Sequence, residues 1–415
     1  MEVETGFEPV YGDLQSPASP LGHSTTVRLS HIENNGADDG VRTRDLNLGK
    51  VPRYQLRYVR MWVKVSAGGE CAPISRKGRP KVGAMKEIFW MNGLSATEIL
   101  EVVNSPDALD RDGFWALHVT YEGEWTCARL GNIQEKPFAH YKWIVDSSPW
   151  NSSHSEEEYI EYVESIRNSI VDGDVYQVNA CRLLQRKIQL PDDGLRGLFA
   201  VMQKNNPAPF ASYFNIGEIE VASASPERFL ELKTINGKIQ LTSSPIKGTS
   251  RIPEFGEKDR AENIMIVDLM RNDLGEISES GSIEVPRLLD IEEHPGLFHL
   301  VSDVIGTLST PLSKISEILP AGSISGAPKS AAKKIITTHE NQRGSYCGIL
   351  GYIRRENGEI TGQLSVGIRL FFVKNGDLCF GTGAGITWAS DSRGEWEETK
   401  LKAERLIAIA DGRHE

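Results

Sequence analysis

Residues 347–386 read CGILGYIRRENGEITGQLSVGIRLFFVKNGDLCFGTGAGI. Two Asn-Gly pairs, Asn357-Gly358 and Asn375-Gly376, each sit between apolar or β-branched runs. Asn-Gly tolerates the positive φ angles of a type I′ turn, so each pair predicts a tight β-hairpin. Asn236-Gly237 predicts a third, and YQVNACRLL, SYFNIG, IEVASAS and RFLELK upstream of it read as strands. Helical patterns separate these runs. Ser155 and Glu158 form a capping box ahead of Ile160, Val163, Ile166 and Ile170, and that helix is predicted to stop at Gly173. Further helices are predicted over DRAENIMIVDLMRND, APKSAAKKIITTHE and EWEETKLKAERLIAIA, the last ending at Gly412. Hairpins alternating with helices predict a large α+β domain built on antiparallel sheet.

The chain has 415 residues, 39% hydrophobic and 25% charged, an ordinary globular composition. A net charge of −11 offers no global basic field to nucleic acid. No apolar run approaches membrane-spanning length, and no signal-peptide pattern opens the chain. Five scattered cysteines without CxxC spacing predict reduced thiols and a cytoplasmic setting. Residues 1–84 differ from the rest. Seven acidic residues and one basic, Arg28, fill residues 1–40, and a basic stretch from Arg42 to Lys81 follows. Neither stretch has sustained periodicity, so a compact core is not expected there. Residues 1–84 read either as a disordered tail or as translated upstream sequence, with Met85 the start of patterned sequence. The globular domain is expected over 85–415, its core over 155–412.

Four segments carry candidate chemistry. SASPERF puts Glu227 just before a strand, and SPIKGTSR puts Lys247 between Pro245 and Gly248. Asp259 and Glu262 share one side of a helix at i, i+3 spacing, as do Glu395 and Glu398 on the last helix. Carboxylates converging from two elements repel unless a cation neutralises them, and oxygen-only ligation suits Mg²⁺. Each pair read alone is more often a solvated helix face. Glu395 also fits a capping box with Ser392, and Asp259 and Glu262 suit a helix N-terminus.

In order, DVYQVN, SPERF, PIKGT, DRAENIMIVDLMRNDLG, HLVS, PAGSISGAPK, CGILGY, IR, GTGAGI and EWEET resemble the chorismate-utilising enzymes, the anthranilate synthase component I family. The resemblance runs from about Tyr159 to the C-terminus, with weaker similarity back to about Met85. It implies antiparallel β-sheets in a sandwich flanked by helices. It also implies Mg²⁺ held by Glu262, Glu398 and Glu395, with Asp259 a weaker candidate. Gly383, Ala384 and Gly385 would approach a substrate carboxylate through backbone N–H groups, and Arg369 would pair with one. Tyr352, His299 and Ser325 would line the site.

Within the family, PIKGT resembles the aminodeoxychorismate synthases, whereas anthranilate synthases usually carry Ala in place of Lys247. The implied lysine adds to the ring of chorismate, which splits one hard displacement into two easier ones. It must be neutral to attack, so burial or nearby cations are expected to lower its pKa. Glu227 would protonate the departing hydroxyl as general acid. Gln177 stands where isochorismate and salicylate synthases carry a lysine that activates water, a task beyond a neutral amide. No Leu-Leu-Glu-Ser element of tryptophan-regulated relatives is seen. The chain carries no convincing glutaminase triad, so a separate glutaminase (amidotransferase) subunit is expected to supply ammonia. The expected product is 4-amino-4-deoxychorismate, on the way to 4-aminobenzoate and folate. The alternatives are anthranilate synthase component I and a non-catalytic chorismate-binding scaffold for a glutaminase.

Overall fold

A computed structural model describes residues 86–145, 148–294 and 297–413. The expectation for residues 1–84 lies outside the described residues. Two sheets of ten strands, every pairing antiparallel, form the domain. Five α-helices accompany them among the described residues: α1 Glu156–Val171, α2 Arg196–Asn205, α3 Glu257–Ile277, α4 Lys329–His339 and α5 Ser392–Ala410. None is long and apolar enough to cross a membrane.

The three Asn-Gly hairpins form as expected. Both residues of each pair have positive φ, for example 54° at Asn375 and 78° at Gly376. A fourth, Asn92-Gly93, folds Phe89–Met91 onto Leu94–Ala96, where runs of three residues are too short to stand out in the sequence. The Ser155–Glu158 capping box is present, and Gly173 ends that helix with φ 83°. Helix α2 has no side-chain cap on Leu195, which is why the sequence carries no start signal for it. Asp391, not Ser392, caps α5, accepting from the Gly394 N–H at 2.7 Å. Ser392 instead donates to Glu164 at 2.7 Å.

Alternation along strands of the first sheet sorts side chains into two cores. Phe89, Met91, Phe214, Phe372 and Cys379 join the large core that also takes Trp115, Leu230 and Ile353 from the second sheet. Their sequence neighbours Trp90, Tyr213, Phe371, Leu378 and Phe380 form a second core with Leu198 and Phe199 of α2 and Leu406 and Ile409 of α5. The first sheet is therefore covered on both faces, by the other sheet and by α2 with α5. The expected sandwich flanked by helices is the one observed.

A buried ion pair ties several elements behind the sheets. Arg343, 1% exposed, donates to Glu340 through Nε at 2.7 Å and Nη2 at 2.8 Å, and to the carbonyls of Asn179 and Ile324. Glu340 also accepts from the Tyr162 hydroxyl and the Cys181 N–H. Removing one partner of a buried pair strands the other charge. Arg343→Met is expected to cost roughly 3–5 kcal/mol, read as a lower urea midpoint. A loss under about 1 kcal/mol would mean that water replaces the guanidinium.

Candidate active site

The chain crosses between the sheets twice at neighbouring places. Ile219–Ser225 belongs to the first sheet and Arg228–Ile235 to the second, with Glu227 in the connection. Glu359–Val366 belongs to the second and Leu370–Lys374 to the first, with Arg369 in the connection. The two crossings are bonded together: Val366 N–H donates to the Glu227 carbonyl at 3.1 Å, and Ala224 N–H to the Arg369 carbonyl at 3.0 Å. Arg369 takes a left-handed φ of 54° to make its turn. Burial lowers its guanidinium pKa, and Tyr346 is the titratable neighbour that acts on it.

Lys247 lies on Ile246–Ser250, which pairs with Leu297–Thr307 in the second sheet. The register shifts between Lys247 and Thr249. Gly248, at φ 81°, sits in that shift, and a Cβ there would press on the Phe255 ring at 2.9 Å. The Lys247 amine reaches across to the first sheet. A Cβ built on Gly385 would stand 2.6 Å from Lys247 Nζ and 2.8 Å from Gln177 Nε2, so a larger residue there would push both side-chain ends aside. Gln177 is 1% exposed, and neither end of its amide has a hydrogen-bond partner. On its other side the amine stands 3.9 Å from Glu262 of α3.

Glu227 is buried and accepts from the Ser323 hydroxyl at 2.8 Å. Burial pushes its carboxyl up to about 7, against the Ser323 hydrogen bond and the charges of Lys247 and Lys402. Lys402 joins α5 to the glycine strand, donating to the Gly383 carbonyl at 3.0 Å and pairing with Glu398 at 2.6 Å. Burial raises the Glu398 carboxyl, but Lys402, Lys247 and Lys258 together bring it below its usual value. Burial holds Glu395 above its usual value, with the Glu398 charge adding and a Ser390 hydrogen bond opposing. Lys258 stands between α3 and α5, 3.9 Å from Glu262 and 3.7 Å from Glu395.

These contacts bring together Glu227, Lys247, Gln177, Gly385, Glu262, Glu395 and Glu398. Asp259 is occupied elsewhere: its carboxylate accepts the Gly256 N–H at 3.1 Å as part of the α3 cap. The Ser325 hydroxyl donates to the Ala321 carbonyl at 2.9 Å, while Ser323, two residues earlier, is the serine that meets Glu227. Tyr352 stacks on Phe114 at 5.0 Å, and the charges acting on it are Glu231 and Arg354. His299 is buried opposite Thr249 in the strand pair that carries Lys247. Ala384 is buried in the glycine strand. Ser323, Lys258 and Lys402 were not singled out from sequence. The i, i+4 spacing of Glu398 and Lys402 was the available signal for the last.

Among the described residues no three of His, Cys, Asp and Glu gather closely enough to hold a metal unaided. The donor chemistry nevertheless fits a hard cation. Glu262 has a buried carboxylate oxygen with no hydrogen bond, and a lysine ammonium bridges Glu262 and Glu395.

The fold is shared with solved chorismate enzymes. The anthranilate synthase component I of Streptococcus pneumoniae matches with a TM-score of 0.63 at 21% identity, over 80% of this chain and 95% of that one. The menaquinone-specific isochorismate synthase MenF of Escherichia coli matches with a TM-score of 0.64 at 17% identity, over 79% and 90%. The family described as chorismate binding enzyme matches residues 116–408, and the chain belongs to that family. Aminodeoxychorismate synthase component 1 of Klebsiella aerogenes is 37% identical over 68% of this chain and 64% of its own length. A probable chloroplastic aminodeoxychorismate synthase of Oryza sativa is 36% identical over 62% of this chain and 30% of its own. Anthranilate synthase component 1 of Aquifex aeolicus is 33% identical over 64% and 56%. The matched region thus spans under two thirds of each of these last three relatives.

The raised carboxyl of Glu227 makes a stability prediction. The unfolded chain titrates near 4.5 and the folded one near 7. The stability from keeping Glu227 neutral is thus full below about 4.5, falls as pH rises, and is gone above about 7. Glu227→Gln cannot ionise. Relative to the parent protein it is expected to gain roughly 1–3 kcal/mol between pH 4.5 and pH 8, measured from urea midpoints at both. A difference that ignores pH would mean that the folded carboxyl is already charged.

Proposed function

We propose that the chain aminates chorismate to 4-amino-4-deoxychorismate, using ammonia supplied by a partner glutaminase. The observation that carries this reading is the Lys247 amine held against Gly385 and Gln177, with a carboxyl that stays protonated to about pH 7 nearby. The names of the relatives support it, since those from Klebsiella aerogenes and Oryza sativa are called aminodeoxychorismate synthases.

The chemistry follows from the groups present. Lys247 Nζ bonds to ring carbon C2 while both ring double bonds shift by one position and the C4–oxygen bond breaks. Glu227 gives its proton to the departing hydroxyl, which leaves as water. Ammonia then bonds to C4, the double bonds shift back, and the C2–nitrogen bond to Lys247 breaks. Glu227 recovers a proton from the new ammonium group, so the lysine and the acid both end as they began. Ser323 orients the Glu227 carboxyl, and Arg369 supplies a buried guanidinium for a substrate carboxylate. His299, Ser325, Tyr352 and the backbone of Gly383 and Ala384 complete the surroundings in this reading. Glu262, Glu395 and Glu398 would hold Mg²⁺, which supplies charge neutralisation for a substrate carboxylate when bound. Asp259 would support α3 through its cap. The free, buried thiols Cys127, Cys181, Cys347 and Cys379 suit a reducing compartment such as the cytoplasm.

Product analysis with chorismate, Mg²⁺ and ammonium tests the proposal. The unaltered chain is expected to give aminodeoxychorismate from ammonium but not from glutamine alone. Lys247→Ala is expected to lower kcat by at least about 100-fold, the scale of a lost covalent step. Anthranilate as the product, or a rate indifferent to Lys247, would sink the reading in favour of an anthranilate synthase. Chorismate bound but never consumed would leave the scaffold.

A further inference from the structure

Lys258 occupies an unusual position on the first turn of α3. Its ammonium stands 3.9 Å from Glu262 Oε1 on its own helix and 3.7 Å from Glu395 Oε1 on α5. Both distances lie outside the 2.7–2.9 Å range of a charge-assisted hydrogen bond. Other lysines of this domain are fixed more firmly: Lys402 meets Glu398 at 2.6 Å, and Lys329 meets Asp273 at 2.9 Å. The Glu262 oxygen that faces Lys258 is buried without a hydrogen bond, while the Lys258 side chain is 50% exposed. The ammonium therefore sits in the field of two carboxylates without a fixed bond to either, and with an open path to water.

Glu262, Glu395 and Glu398 come from two helices, and like charges that converge need a counter-cation. Lys402 serves Glu398. For Glu262 and Glu395 the bridging cation is Lys258. We propose that Lys258 is a built-in competitor for the Mg²⁺ site: it stands in the cation's place in the metal-free protein and swings into water when the metal binds. The proposal rests on the reading that these glutamates hold Mg²⁺. Metal affinity is then reduced by the factor that the lysine-bridged state is favoured over the open one, the arithmetic of any equilibrium that must be reversed before binding. The same device keeps two helices from repelling while the site waits for its ion.

The test uses the full chain and Mg²⁺ alone, with ionic strength held constant by KCl. Calorimetric titration of Lys258→Met is expected to give a Kd about tenfold lower than that of the parent protein, a gain of about 1.4 kcal/mol. A neighbouring positive charge would weaken metal binding without ever leaving its place, so a second readout is needed. Acylation of surface amines, followed by mass spectrometry, reports whether Lys258 is released. Saturating Mg²⁺ is expected to raise labelling of Lys258 severalfold while leaving Lys333, an exposed lysine of α4, unchanged. Mg²⁺ binding with equal affinity to both proteins, or labelling of Lys258 indifferent to Mg²⁺, would overturn the competitor role while leaving the metal site intact. Mg²⁺ binding to neither protein would remove the metal site and the competitor together.

Discussion

Two crossings between sheets, bonded to one another by Val366–Glu227 and Ala224–Arg369 hydrogen bonds, fix the geometry on which the site depends. A strand interior has little freedom to present a charged group between two packed sheets, because alternation commits each side chain to one face. A connection that leaves one sheet and enters the other lifts that constraint. Glu227 and Arg369 sit in such connections, and Arg369 accepts a left-handed backbone to do so. Lys247 instead stays within a strand and gains its reach from the register shift at Gly248. The seam between sheets is thus both the route of the chain and a place where an acid, an amine and a guanidinium are held together.

The hairpins were legible because Asn-Gly is chemically specific for its turn, and Asn236, Asn357 and Asn375 all took the expected positive φ. The Ser155 capping box was legible for the same reason. Helix α2 and the strands from Phe89 to Gly131 were not. Apart from the Asn92-Gly93 turn, they hold their places by packing rather than by local signals, as the uncapped Leu195 illustrates. In the site, residue types at motif positions could be read, but which side chain is free to act could not. Asp259 and Glu262 look equivalent at i, i+3, yet one closes a helix cap and the other faces Lys247. Ser323 and Ser325 lie in one short motif, and only the three-dimensional turn decides which meets Glu227.

An acidic chain suits an anionic substrate only if its positive groups are gathered. Lys247, Lys258 and Lys402 interleave with Glu262, Glu395 and Glu398, so each carboxylate has a cation beside it and no charge is stranded.

What remains unsatisfied is as informative as what is paired. A buried amide with no partner at either end costs on the order of 1–3 kcal/mol per group, and Gln177 carries that cost at the mouth of the Lys247 approach. An alanine at Gly385 would press its methyl on both the Gln177 amide and the Lys247 amine, and a lysine at Gln177 would bring a second amine. Either would crowd the Lys247 amine, and the methyl, which cannot hydrogen-bond, would leave the amide unsatisfied. In the proposed reaction the lysine uses that room, because a bulkier neighbour would block its path and a second cation would compete for the same carboxylate. The unpartnered amide and the bare glycine thus flank the Lys247 amine together.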